Sequence, residues 1–253
     1  MRITFLGTGT SQGIPVIGSH HPVCKSNDPK DQRLRVSIHL EWEGRSFVVD
    51  CGPDFRQQML RAHIESIDAL LITHEHADHV AGLDDIRPYC FKQGPLPIYA
   101  TKRVAENLEY RFAYIFEKVN KYPGAPTVQM NIIENEPFSA SGLTVIPLEV
   151  DHRKLTVIGF RFGDFAYITD AKYIPEATIS KLRGVKTLVL NALKQESHPS
   201  HFNLSEALGI IDVIKPERAY LTHISHHMGF HEEVQESLPE NVFLAYDGLV
   251  LDL

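Results

Sequence analysis

At 253 residues, 43% of them apolar, the chain is long enough to bury a full core without disulfides or a partner. A formal net charge of -7 with histidine neutral leaves no basic footprint for a polyanion, which argues against a long nucleic-acid partner but leaves a small phosphorylated substrate open. Cys24, Cys51 and Cys90 are odd in number and widely spaced, no export-type segment opens the chain, and no apolar run approaches the roughly 20 residues that cross a bilayer; a reducing cytoplasm and no membrane are therefore expected.

Residues 2–6 read as a first strand, followed by Gly7-Thr8-Gly9-Thr10-Ser11-Gln12-Gly13. A nucleotide-binding loop would open a helix next, yet Ile14-Pro15 follows and no Gly-Lys-Ser/Thr closes a phosphate loop. The glycines are read instead as letting backbone pass close under a site. Residues 18–33, with His20-His21, Pro22 and Pro29, read as a long loop. Residues 36–41 and 46–50 form two strands joined tightly at Glu43-Gly44, and residues 55–62 form a short helix. Then comes the buried strand end Ala69-Leu70-Leu71-Ile72-Thr73, and the potential metal ligands His74, His76, Asp78 and His79 begin where it stops.

A helical stretch near 84–90, a strand at 97–100 and an amphipathic helix over 102–118 follow, broken at Tyr122-Pro123-Gly124-Ala125-Pro126. In the second half, strands at 143–150, 165–169 and 219–222 end at Asp151-His152, Asp170 and His223. Every further ligand candidate thus sits where a strand stops. Between them lie a helix at 175–182, a buried strand at 187–190 and a helix opened by the capping box Asn203-x-x-Glu206, whose Leu204, Ala207, Leu208 and Ile211 share a face and which Pro216 ends. Imidazole and carboxylate without thiolate suit zinc, manganese or iron better than copper. Cys51 and Cys90 read as small packed residues rather than nucleophiles.

The run His74-x-His76-x-Asp78-His79, extended by Gly82-Leu83, resembles the signature of the metallo-β-lactamase superfamily. The resemblance implies an α+β fold, a four-layer αβ/βα sandwich in one domain over 1–253, with a metal site at one edge that usually catalyses hydrolysis. It also implies two divalent metal ions, Zn or Mn: His74, His76 and His152 for one, Asp78, His79 and His223 for the other, Asp170 bridging. Asp50 and Asp247 are candidates for accepting a ligand imidazole N–H, with turn capping as the other reading of each.

Gly7-Thr8-Gly9 with Gln12-Gly13-x-Pro15, Asp151-His152-x-x-Leu155-Thr156, Leu221-Thr222-His223-Ile224-Ser225-His226 and Asp247-Gly248 are similar, more narrowly, to the cyclic phosphoribosyl phosphodiesterase branch. That branch implies a small cyclic or nucleotide-like phosphodiester as substrate, a homodimer, and His201 and Asp78 as the residues of catalysis, His201 serving the phosphodiester from beside a helix N-terminus. It further implies a structural zinc, for which this chain keeps Cys24 and His226, with His21 in place of one cysteine and Ser19 of another. Three ligands fall short of the four a closed tetrahedral site wants, so His20, His227 or water would complete it. A thioester or lactam hydrolase, a tRNA 3'-processing-like endonuclease, and a scaffold binding without turnover are the alternatives.

Overall fold

In the computed structural model, which describes residues 1–117 and 119–253, the strands sort by halves of the chain. One sheet takes β1 (Arg2–Gly7), β2 (Ser37–Trp42), β3 (Arg45–Val49), β4 (Ala69–Leu71), β5 (Leu96–Ala100) and β6 (Val128–Ile132). The other takes β7 (Phe138–Ala140), β8 (Leu143–His152), β9 (Leu155–Phe162), β10 (Phe165–Ile168), β11 (Thr187–Asn191), β12 (Arg218–Thr222) and β13 (Val242–Leu244), after which β14 (Val250–Asp252) returns to pair with β1. Within each sheet one half is antiparallel, while β3 to β6 and β10 to β13 run parallel. Parallel neighbours require long crossovers. These carry α1 (Phe55–Arg61), α2 (Ala77–Val80), α3 (Arg87–Gln93), α4 (Lys102–Arg111) and α5 (Ala113–Phe116) in the first half, and α6 (Glu176–Leu182), α7 (Leu204–Ile214) and α8 (His231–Ser237) in the second.

Side-chain alternation makes the layers. Phe47 and Val49 of β3 point between the sheets, with Ile3, Phe5, Phe160 and Tyr167, whereas Val48 points outward to Phe55, Val80 and Leu108 under the helices. In β11, Val189 points inward while Leu188 and Leu190 pack with Leu182, Leu204 and Ile211. Strands apolar on both faces, each covered by a layer, give the expected four-layer αβ/βα sandwich. Full burial of one such side chain is worth about 1.5–3 kcal/mol.

Several boundaries differ from the sequence reading. The helix expected over 102–118 breaks at Phe112, whose φ of -120° and ψ of 40° end α4 before α5 resumes; its expected last residue, Lys118, lies outside the described residues. The loop over 18–33 contains two short 3-10 turns, Pro22–Lys25 and Pro29–Asp31, each with proline in its first turn and capped by His21 or Asp28. Gly7 packs against backbone, a Cβ there lying 2.0 Å from the Arg35 carbonyl oxygen, and Gly9 bridges to Arg35 and to Ile224, the residue that follows His223. Among the described residues no helix is long and apolar enough to cross a membrane.

Candidate metal centre

The site is assembled from residues that sit just past strand ends. Asp50, directly after β3, has a φ of 65°; Asp170, after β10, has 58°; His223, after β12, has 56°. Left-handed backbone is uncommon outside glycine, aspartate and histidine being among the residues that adopt it most, and at each position it turns the side chain out of the strand's alternation. After β4, Thr73 anchors the next segment: its N–H donates to Asp50 Oδ1 at 2.8 Å and its hydroxyl to Oδ2 at 2.9 Å. His74 follows, and α2, with His76 at its N-cap, carries Asp78 and His79 on one short turn.

Asp170 touches both sides of the cluster, Oδ2 lying 3.2 Å from His79 Nε2 and Oδ1 3.2 Å from His223 Nε2. Asp78 Oδ2 stands 3.3 Å from His79 Nε2 and 3.7 Å from His223 Nε2. Ligand-capable atoms gather within 4.8 Å in three overlapping groups: His74, His79 and Asp170; Asp78, His79 and His223; His152, Asp170 and His201. His76 stands at the exposed lip, its Nδ1 2.9 Å from His74 Nε2 and its ring 5.3 Å from that of His152. His152 Nδ1 is 2.7 Å from the Ser200 carbonyl, which only accepts, so Nδ1 carries the proton and Nε2 is left for coordination.

The donor set fits cations. Among the described residues, His79 Nε2, both ring nitrogens of His223 and His201 Nδ1 are buried with no hydrogen-bond partner, an arrangement costly for polar atoms unless something else satisfies them. Despite its burial, His79 is pushed well above the ordinary histidine range by Asp170, Asp50 and Asp78 around it. Burial opposes the charge of Asp170, but His223 and His79 outweigh it and hold that carboxyl well below the usual carboxylate range. Burial is also the main cause that holds His74 well below the ordinary histidine range. The carboxylates thus demand positive charge at the centre while several imidazoles are kept neutral, the state in which imidazole ligates a metal.

The surrounding residues separate the two candidates for orienting ligands. Asp50 Oδ2 lies 2.7 Å from His79 Nδ1, so the carboxylate accepts that ring's N–H. Asp247 contacts no ligand: it accepts from the Thr8 hydroxyl and the Leu34 N–H, both at 2.8 Å, and lies 3.5 Å from Arg61. It ties the turn before β14 to the backbone beside β1, a correction to the reading in which it accepted an imidazole N–H.

His201 lies within the cluster, not at its surface. It is buried, with Nδ1 3.6 Å from Asp170 Oδ1 and its ring 4.6 Å from His152 and 4.8 Å from His223. Burial pushes its pKa down to about 3, with His223 adding to the effect. Nor does the α7 N-terminus stand open for a phosphoryl group, because Leu204 N donates to Lys194 O and Glu206 N to the Asn203 cap. The expected capping box is itself what occupies the helix end.

Where the loop after β1 meets the segment after β12, the rings of His21, His226 and His227 converge, with centroids 4.9 Å apart for His21–His226 and 4.0 Å for His226–His227. Cys24 accepts instead from Val16 N at 3.5 Å, and His21 Nδ1 caps its own 3-10 turn. Among the described residues, His21, Cys24 and His226 are not a group with all ligand atoms within 4.8 Å. Cys51 and Cys90 are buried and unbridged. Thr73 and Ser200, which orient the ligands, were missed in the sequence, although Thr73 directly precedes the motif.

Residues 45–224, which contain all seven ligand candidates, match the family described as the beta-lactamase superfamily domain. The chain is 41% identical over 252 residues to an octanoyltransferase of Porphyromonas gingivalis, the match covering 98% of this chain but 51% of that protein, so this chain spans about half that relative's length. It is 28% identical over 215 residues to a ribonuclease Z of a Mycobacterium species, covering 78% of this chain and 70% of that one. A crystal structure of a diphosphatase from the PhnP family superposes with a TM-score of 0.93 at 40% identity, covering 100% of this chain and 97% of the other.

Proposed function

This chain belongs to the metallo-β-lactamase superfamily of hydrolases, and from that premise we propose that it is a dinuclear-metal phosphodiesterase acting on a small cyclic or nucleotide-like phosphodiester. His74, His76, Asp78, His79, His152, Asp170 and His223 would hold two divalent ions, zinc or manganese. Bound there, the metals would supply Lewis acidity toward a phosphoryl oxygen and lower the pKa of water at the site.

The chain's own residues do the rest. Asp50, fixed by Thr73, orients His79. The Ser200 carbonyl fixes the tautomer of His152. The observation that carries the phosphodiester reading is His201, a buried imidazole outside the seven-residue set whose ring lies between those of His152 and His223. Held uncharged at neutral pH, it keeps one ring N–H, a donor suited to a phosphoryl or departing oxygen. The diphosphatase with which the chain superposes supports a phosphorus-centred substrate.

The octanoyltransferase relative favours a second reading, hydrolysis of an acyl thioester, although that name belongs to a protein about twice as long. Assays of bis(para-nitrophenyl) phosphate, an octanoyl thioester and a chromogenic lactam on one metal-loaded preparation separate the readings. The expected result is a kcat/KM for the phosphodiester at least about 100-fold above the others, the scale that well-placed acid–base or electrostatic groups supply. A preference for the thioester would replace the first reading by the second.

A further inference from the structure

The ligand candidates for the first ion come from different sheets: His74 and His76 follow β4, while His152 ends β8. Their rings stand 4.5 Å apart for His74–His76, 5.9 Å for His74–His152 and 5.3 Å for His76–His152. Among the described residues the ligand atoms of these three do not gather within 4.8 Å as a set, whereas those of Asp78, His79 and His223 do. Closing the first set therefore depends on how firmly the segment after β4 is held against the pair β8 and β9.

One side chain touches both. Arg103, in the first turn of α4, donates from Nη2 to the Thr156 carbonyl at 2.6 Å and lies 3.4 Å from Glu75 Oε2. Thr156 pairs with Asp151, the residue before His152. Glu75 stands between His74 and His76, and in extended backbone it projects opposite to both, which makes it the handle of the segment on the side away from the ligands. Its Oε2 is buried and, among the described residues, has no hydrogen-bond partner, so the guanidinium is the charge that balances it. Arg111, two turns further along α4, donates to the Glu75 carbonyl at 2.8 Å and grips the segment alone. The Ile158 N–H donates to the Thr73 carbonyl at 3.1 Å, so backbone ties β9 to the segment just before His74 and Arg103 ties it just after. The needs of α4 do not account for this arginine: a cation in the first turn opposes the helix dipole, and α4 has no acidic residue there to offset it.

We propose that Arg103 is a positioning residue that sets the separation between the two halves of the first ion's ligand set, and through it the affinity for that ion alone. The inference rests on the two-metal assignment above and not on the substrate. A guanidinium suits the task because it is planar and presents donors in fixed directions to a carboxylate and a carbonyl together, which an ammonium on a flexible stem does not. Groups that hold ligands from behind in this way typically change metal affinity by roughly 10- to 100-fold.

The test is a calorimetric titration of zinc, against a competing chelator, into metal-free wild type, Arg103→Ala, Arg103→Lys and Lys102→Ala. The last is the control, since it removes the neighbouring exposed cation of the same helix turn. Wild type should take up two ions. Arg103→Ala should bind one ion as wild type does and the other roughly 10- to 100-fold more weakly, with Arg103→Lys between the two and Lys102→Ala unchanged. Nitrogen NMR spectra of the histidine rings identify the weakened site: with zinc limiting, His79 and His223 of Arg103→Ala should carry metal-bound shifts while His74, His76 and His152 do not. The melting temperature of metal-free Arg103→Ala should stay close to that of wild type, because a partly exposed ion pair contributes little to stability. Unchanged affinities for both ions, or both falling alike with a lower melting temperature, overturn the proposal. If wild type takes up fewer than two ions, the two-metal reading fails and the proposal is judged on the metal-free spectra. There Arg103→Ala should shift the rings of His74, His76 and His152 and leave those of His79 and His223 in place; identical spectra overturn it.

Discussion

His201 has the clearest mechanistic consequence of any single residue. A hydrogen-bond donor at the departing oxygen stabilises the charge that develops there, which matters most when the leaving group is a poor one, and loss of one such donor costs roughly 100- to 1,000-fold. His201→Ala should therefore slow an alkyl-leaving-group phosphodiester by that order and a para-nitrophenyl ester much less. Equal losses on both would make it a phosphate-binding group only. Away from the centre, His231 accepts a hydrogen bond at 3.1 Å from the guanidinium of buried Arg33, which also donates to the Ala245 carbonyl. Burial, reinforced by Arg33, lowers the His231 pKa to about 4. The unfolded chain, near 6.5, binds the proton first, so this contact contributes fully above about pH 6.5 and its contribution is lost as pH falls toward 4. Denaturant melts at pH 7.5 and 5 should show wild type losing more stability than His231→Gln; parallel losses would show that His231 is not the titrating group. The ligand candidates were legible because each follows an apolar run. Asp247 misled because its partners, Thr8 and Leu34, arrive from the far end of the chain.

Between elements, the ligand turn is seated on backbone that tolerates no side chain. A Cβ at Gly52 would lie 2.0 Å from the Asp78 carbonyl oxygen, and one at Gly82 2.2 Å from the Gly52 carbonyl oxygen. Gly52→Ala should displace the segment bearing Asp78 and His79, lowering both metal content per chain and melting temperature. Gly209→Ala is the matching control: it lies within α7 and a Cβ there meets nothing within 4 Å, so it should raise stability by about 0.5–1 kcal/mol. If both variants kept full metal content and rose in stability alike, close packing at Gly52 would not be what positions the turn. The elements most legible in sequence were those with alternation or caps, such as β3 and α7. β6 and β9 were missed: Val128–Ile132 does alternate apolar and polar residues, but over only five positions just past the break at residues 122–126, and Leu155–Phe162 is interrupted by Gly159, where a Cβ would lie 2.6 Å from the Tyr167 carbonyl oxygen. The break at Phe112 has no proline or glycine to announce it.

Across the whole molecule, the ligand candidates come from both sheets: His74 to His79 follow β4 of the first, while His152, Asp170 and His223 follow or end β8, β10 and β12 of the second. Metal bound between them would tie the two halves of the chain together, and binding to the folded state alone stabilises it by about 2.7 kcal/mol per site at 100 times the dissociation constant. The four-layer architecture was legible through the resemblance of one short motif. How the layers close was not, because the pairing of β14 with β1 joins residues more than 240 apart through backbone rather than pattern. The most direct test is to titrate zinc or manganese into metal-free protein while following hydrolysis of bis(para-nitrophenyl) phosphate and bound metal together. Activity should rise to a plateau at about two ions per chain, as a two-metal site requires, and disappear on chelation. Full activity with less than one ion per chain, or two bound ions without phosphodiester hydrolysis, would contradict the account.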